Sequence, residues 1–200
     1  VVARQVEKTA RKILAAAAIL LAAVLFWSAA DGKTVYKFVN RSFLQPGEVR
    51  VLADDDYYPA ILDLIDTAQQ EIRMVMFLFK MNEKRNNRPA RIVEALIRAR
   101  KRGVRVEVLL ETSDHDDDLD KENRRVGRRL KQNGVKVFYD TRKTTTHAKL
   151  LVVDRRRVLV GSHNLTQAAL KYNHELSLLI DNERLAEQLI RYIDRLPHRR

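Results

Sequence analysis

Downstream of residue 48 the apolar positions switch repeatedly between a strand period and a helix period. Residues 49–53 predict a short strand, and residues 58–70 a helix with Ile61, Leu62, Ile65 and Ala68 on one face. The nearly unbroken apolar run 72–79 is short enough for a buried strand. A polar loop over 80–88 leads to Pro89, which suits a first helical turn. Ile92, Val93, Leu96 and Ile97 form the inward stripe of that helix, and Gly103 stops it. Strands are predicted over 104–110 and 135–139, separated by an acidic loop at 111–120 and a charged helix that Gly134 ends. Two strands, 148–153 and 158–161, join through the turn at 154–157. A short helix over 165–170, a strand over 175–180 and a last helix over 182–196 complete the pattern, with Pro197 at its end. Regular alternation of strand and helix predicts an α/β domain, a mixed and mostly buried β-sheet with helices on both faces.

The first thirty residues follow another pattern. Residues 13–30 carry no charge, and Arg4, Lys8, Arg11 and Lys12 precede them. Such a run would extend about 27 Å as a helix, close to the ~30 Å of a bilayer core. The sequence therefore predicts an N-terminal hydrophobic helix. It is expected to be a membrane anchor that leaves the folded domain outside the cytoplasm, or else a signal peptide cleaved after Ala30 to release a secreted protein. The resulting division is 1–30 basic flank and anchor or signal, 31–48 linker, 49–196 folded domain and 197–200 tail.

Composition narrows the chemistry. The chain has no cysteine, which excludes disulfides, thiolate metal sites and a cysteine nucleophile. Its formal charge is +12, and residues 31–200 still hold 38 − 4 = 34 basic against 26 − 1 = 25 acidic groups, about +9. A polyanionic partner fits that excess, either nucleic acid or an anionic lipid surface.

The densest chemistry lies in one stretch, His147-Ala-Lys149 followed by Asp154, Gly161, Ser162 and Asn164. Side chains alternate along a strand, so His147 and Lys149 point the same way. If 148–153 and 158–161 pair as a hairpin, Ser162 and Asn164 return beside them. A neutral imidazole can attack phosphorus, while Lys149 and Asn164 neutralise the phosphoryl oxygens. A second imidazole is needed to protonate the leaving oxygen and then activate water. Lysines can supply the positive charge, so the sequence predicts neither metal nor cofactor. The acidic loop lacks the glycine and terminal glutamate of a calcium loop and reads as a solvated loop and helix start.

The spacing H-x-K-x4-D-x6-G-S-x-N, with the later Asn173-His174-Glu175, resembles the signature of the phospholipase D superfamily. Residues 49–196 are similar to its single-motif members, which include small bacterial endonucleases and a membrane-anchored enzyme of the mitochondrial surface. That resemblance implies a phospholipase D-like sandwich fold and a homodimer with one active site made by both subunits. It implies His147 of one chain as nucleophile and of the other as acid and base. Lys149, Asn164 and Ser162 would hold the phosphate, Asp154 would support the motif, and Glu175 would accept from the histidine. Lys80, with Lys84, Arg85 and Arg88, is an expected contact to a nucleic-acid backbone. The preferred expectation is a metal-independent endonuclease acting on DNA or RNA through a phosphohistidine. The alternative is a phospholipase D or phosphatidyl transferase acting on membrane phospholipid, and a non-catalytic binding protein is a third class.

Overall fold

The chain divides into two units, residues 1–43 and 44–200. The computed structural model describes residues 45–82, 84, 86–113, 116–141 and 144–199, all in the second unit. One eight-stranded mixed sheet organises them, in the order β1-β7-β6-β5-β2-β3-β4-β8. The strands are β1 (Val49–Ala53), β2 (Glu71–Met76), β3 (Arg105–Leu110), β4 (Lys136–Asp140), β5 (Lys149–Val153), β6 (Arg157–Gly161), β7 (Leu176–Asp181) and β8 (His198–Arg199). The helices are α1 (Tyr57–Thr67), α2 (Arg88–Lys101), α3 (Asp117–Gln132) and α4 (Glu183–Arg195).

Strands β2, β3 and β4 are parallel, joined through α2 and α3, whereas β5, β6 and β7 form an antiparallel meander. Apolar stripes decide which helix covers which face. Ile61 and Ile65 of α1, Ile92 and Leu96 of α2, and Val126 and Leu130 of α3 pack with Met74, Val108, Val137 and Leu151. Ala186, Ile190 and Ile193 of α4 pack on the other face, against Val75, Leu109, Leu150, Val152 and Val158. Helices thus flank both faces of a buried mixed sheet, as the alternation predicts. Gly103 and Gly134 follow α2 and α3 at φ of 95° and 78°, a left-handed backbone that favours glycine. Residues 165–170 form turns rather than the expected short helix, because the N–H groups of Lys171, Tyr172 and Asn173 all converge on the Ala168 carbonyl. The two-residue β8, paired with β4, has no sequence signal.

The hydrophobic helix expected over residues 13–30 lies outside the described residues. Among the described residues no helix is long and apolar enough to cross a membrane. The four helices have 11, 14, 16 and 13 residues, each with one apolar face turned to the sheet; a span needs about 20 apolar residues. The expected transmembrane helix, membrane partner and membrane anchoring outside the cytoplasm are corrected accordingly; the alternative of a cleaved signal peptide falls on residues outside those described.

The turn between β5 and β6 is held from outside the hairpin. Asp154 and Arg155 have φ of 52° and 56°, unfavourable for residues other than glycine. The Asp154 carboxylate compensates by accepting the backbone N–H groups of Gln69, Gln70 and Glu71 at 3.0, 2.7 and 3.1 Å and the Arg157 guanidinium at 3.2 Å. Arg155 and Arg156 pair with the buried carboxylates Glu71 and Asp181. Replacing Asp154 by alanine leaves several donors without an acceptor, and a loss of about 3 kcal/mol is expected in urea unfolding. A loss below about 1 kcal/mol would mean that solvent replaces the carboxylate.

Candidate functional site

The site forms where β5 begins and β6 ends. Leu150 pairs with Val160, so Lys149 falls opposite Gly161 and His147 and Ala148 fall beside Ser162. Gly161 is fixed by close approach. A Cβ there would lie 2.4 Å from both the Leu176 carbonyl oxygen and Ser177 Cα, so any side chain would push β6 off β7. His147, Lys149, Ser162 and Asn164 line one cavity of about 470 Å³ with Leu150, Val160, Leu189 and Tyr192. Its lining thus combines polar groups with apolar side chains.

His147 is exposed, and its ring meets Phe77 edge-on at 4.4 Å between centroids. Lys149 is only 7% exposed. Its Nζ donates to the His147 carbonyl at 2.7 Å and lies 3.1 and 3.2 Å from the two ring nitrogens. Phe77 carries the ammonium over its face at 4.9 Å. Burial lowers the Lys149 pKa, while the Glu175 charge acts in the opposite sense. A buried ammonium beside an imidazole gives a concentrated positive site with few competing water contacts, suited to an oxyanion. The Asn164 Oδ1 atom is buried without a hydrogen-bond partner, a cost of about 1–3 kcal/mol that a bound hydrogen-bond donor can relieve, while the Nδ2 group of the same amide is the donor suited to a phosphoryl oxygen.

Three expected residues are placed differently. Glu175 accepts from the Ser162 hydroxyl through Oε2 and from Asn173 Nδ2 at 3.2 Å through Oε1, rather than from His147. Asp154 sits at the opposite end of β5, roughly 16 Å from Lys149 at the rise of a strand. Lys80 follows β2 and pairs with Glu122 at 3.4 Å, outside the residues that line the cavity. His163, between Ser162 and Asn164, is fully buried and turned away from the cavity, as alternation along the chain predicts.

A second group of residues supports the approach to His147 and has little sequence signal. Thr146 donates its N–H to Glu111 at 2.7 Å and its hydroxyl to the Asp140 carboxylate. Thr112 donates to the Asp140 carbonyl at 2.9 Å. Asn123 of α3, fully buried, donates to the carbonyls of Phe77 and Glu111 at 2.7 and 3.0 Å and accepts from Phe79 N–H at 2.8 Å. It thereby fixes the ends of β2 and β3 beside the site. In sequence, Glu111 reads as part of a solvated acidic run and Asn123 as a surface residue of a charged helix. Leu189 and Tyr192 extend the apolar stripe of α4, which periodicity could have revealed.

Glu111 is 2% exposed, and its pKa is pushed up to about 7. Burial is the main cause; the Thr146 N–H opposes it, and the neighbouring Asp140 adds to it. Between the ordinary glutamate value of about 4.5 and this raised one, the folded chain binds more protons than the unfolded chain. Stability from this group is therefore complete below about pH 4.5 and is lost as pH rises through about 7. Urea midpoints measured from pH 4.5 to 8 should fall less steeply for Glu111→Gln than for the native chain, and identical slopes would contradict the shift.

Comparisons with known proteins agree with this geometry. A family model described as "Cardiolipin synthase, PLD-like domain" matches residues 61–197. The "Phospholipase D" of Rickettsia typhi is 36% identical over 99 residues, covering 50% of this chain and 46% of that protein. The "Cardiolipin synthase A" of Buchnera aphidicola subsp. Baizongia pistaciae is 31% identical over 138 residues, covering 68% of this chain and 26% of that protein. Among solved structures, the phospholipase D family member Nuc from Salmonella typhimurium superposes with a TM-score of 0.61 at 25% identity, covering 74% of this chain and 93% of Nuc. The chain spans about half the length of the phospholipase D relatives that it matches.

Proposed function

Given that the chain belongs to the phospholipase D superfamily of phosphodiester hydrolases, we propose that it cleaves the phosphodiester of a phospholipid, by hydrolysis or by phosphatidyl transfer. The match of 61–197 to the cardiolipin synthase family model carries this choice of substrate, and relatives named for phospholipase D and cardiolipin synthase support it. A cavity lined by the Lys149 ammonium and the His147 imidazole together with apolar Leu150, Val160, Leu189 and Tyr192 suits a diester that carries hydrocarbon. The second reading, cleavage of nucleic acid, is favoured by the net charge of +12. The arginines of the β5–β6 turn, Arg155, Arg156 and Arg157, are each paired with a carboxylate and so contribute little to that excess.

The catalytic domain is residues 49–196. His147 attacks phosphorus, forming a P–N bond as the P–O bond to the leaving alcohol breaks. Lys149 and Asn164 hold the non-bridging oxygens, and Ser162 keeps Glu175 beside them. The leaving oxygen takes its proton from a second imidazole. Water, deprotonated by that imidazole, then attacks phosphorus and breaks the P–N bond. In transfer, an acceptor hydroxyl takes the place of water.

The 49–196 domain carries one motif histidine, and we infer that the second is supplied by a second copy of this domain. An exposed apolar row beside the site supports this assembly. Val49 and Val51 of β1 and Leu176 and Leu178 of β7 are 55, 59, 56 and 36% exposed. Val51 pairs with Leu178 and Leu178 with Val160, so the row continues the apolar lining of the cavity across one sheet face. A homodimer closed over that face would bury the row and bring two His147 side chains together.

The test offers the purified chain phosphatidylglycerol vesicles, plasmid DNA and RNA, each with chelator. Release of phosphatidic acid or formation of cardiolipin is expected, abolished in His147→Ala. Cleavage of nucleic acid alone would replace the lipid reading with the nuclease one. For the assembly, Leu178→Asp should give a folded monomer by light scattering with activity down at least about a hundredfold. An active monomer would overturn the shared site.

A further inference from the structure

The turn that follows β1 lies far from the motif in sequence and adjoins it in space. Asp54 opens this turn with φ of 48°, a left-handed conformation that aspartate tolerates only at some cost. Three of its polar groups reach the two segments that carry the site. Its N–H donates to the Glu175 carbonyl at 2.9 Å, and its Oδ1 accepts the Glu175 N–H at 2.8 Å. Its carbonyl accepts from His163 Nε2 at 3.0 Å. The remaining carboxylate oxygen lies 3.2 Å from His174 Nδ1.

These bonds fix the proton on His163. A carbonyl can only accept, so Nε2 carries the hydrogen and Nδ1 accepts from the Ser177 hydroxyl at 2.8 Å. The ring is fully buried and stacks on Tyr57 at 4.2 Å, with 12° between the planes. Burial lowers its pKa, which keeps it neutral. His163 holds Ser162 and Asn164 on either side of it at fixed positions. Glu175, gripped through both backbone groups, presents its carboxylate to Ser162 Oγ. Glu175 also supplies the negative charge that Lys149 senses.

We infer that Asp54 is a positioning residue for the proposed reaction: it clamps the Glu175 backbone and, through His163, the Ser162–Asn164 segment, so that both face Lys149 and His147. The clamp needs two properties at one position, a left-handed backbone and a side-chain acceptor oxygen three bonds from Cα. Asparagine has both. Glycine has the first alone, and alanine has neither.

That difference separates positioning from mere turn-making, and the kinetic readout rests on the proposed diesterase activity. Asp54→Asn should keep kcat within about threefold of the native chain. Asp54→Gly should melt at a similar temperature and bind substrate with a similar KM, yet lose about tenfold or more in kcat. Asp54→Ala should lose both kcat and melting temperature. Hydrogen exchange read by NMR gives a second measure that needs no turnover: the Glu175 amide should be protected in the native chain and in Asp54→Asn and exchange at least about tenfold faster in Asp54→Gly. Native kcat in Asp54→Gly, or an equally protected Glu175 amide, would overturn the inference. A native chain inactive on every diester would remove the proposed function instead, and the exchange rates would still decide whether the clamp exists.

Discussion

The position of β5 between β2 and β6 is the constraint on which the rest of this structure depends. Its antiparallel pairing sets Lys149 against Met76 on one side and Gly161 on the other. A slip of one residue would turn Lys149 toward α4 and carry Leu150 and Val152 to the wrong face. Both ends of the hairpin are therefore secured. At the turn, Asp154 takes three backbone donors from the chain entering β2; at the open end, Gly161 allows β6 to approach β7 closely enough for Ser162 to reach Glu175. The motif residues divide between these ends. Asp154 secures the register, and His147, Lys149, Ser162 and Asn164 gather at the cavity that this register creates.

Electrostatics follows the same division. Most of the arginines near the β5–β6 turn are matched by carboxylates, among them the buried Glu71 and Asp181. Removing one partner of such a pair leaves a buried charge, so these pairs constrain the fold more than they attract a ligand. At the cavity the balance differs. Lys149 is nearly buried, and its direct contacts include the His147 carbonyl and ring and the Phe77 face, with no carboxylate bonded to it among the described residues. Positive charge that the protein leaves partly uncompensated is charge available to a phosphate.

Much of the architecture is legible in the chain because local periodicity and burial agree. Ile92, Leu96 and their neighbours announce the buried face of α2, and the apolar run at β2 announces a strand covered on both faces. Gly103 and Gly134 mark helix ends for a local steric reason. Residues 165–170 mislead because they start as a helix would, with Thr166 accepting from Ala169 and Leu170, but the next three N–H groups converge on the Ala168 carbonyl and end the turn. The two-residue β8 has no local signature, since only its pairing with β4 makes it a strand. Spacing likewise reveals His147, Lys149, Ser162 and Asn164, because both strands of the hairpin are near in sequence. Asp54, Glu111 and Asn123 are silent by contrast: each acts through hydrogen bonds to segments that the chain reaches only after folding.

The sequence by itself determined the α/β class, the hairpin that assembles the motif and the phosphate-handling chemistry of that motif, because these depend on side-chain period and short separations. Tertiary structure alone decided which neighbours each polar group meets. It gave Glu175 to Ser162, sent Asp154 to the far end of the sheet and buried Glu111 beside Asp140. Partners of that kind are chosen by packing between elements distant in the chain, where no local pattern of apolar and polar residues records them.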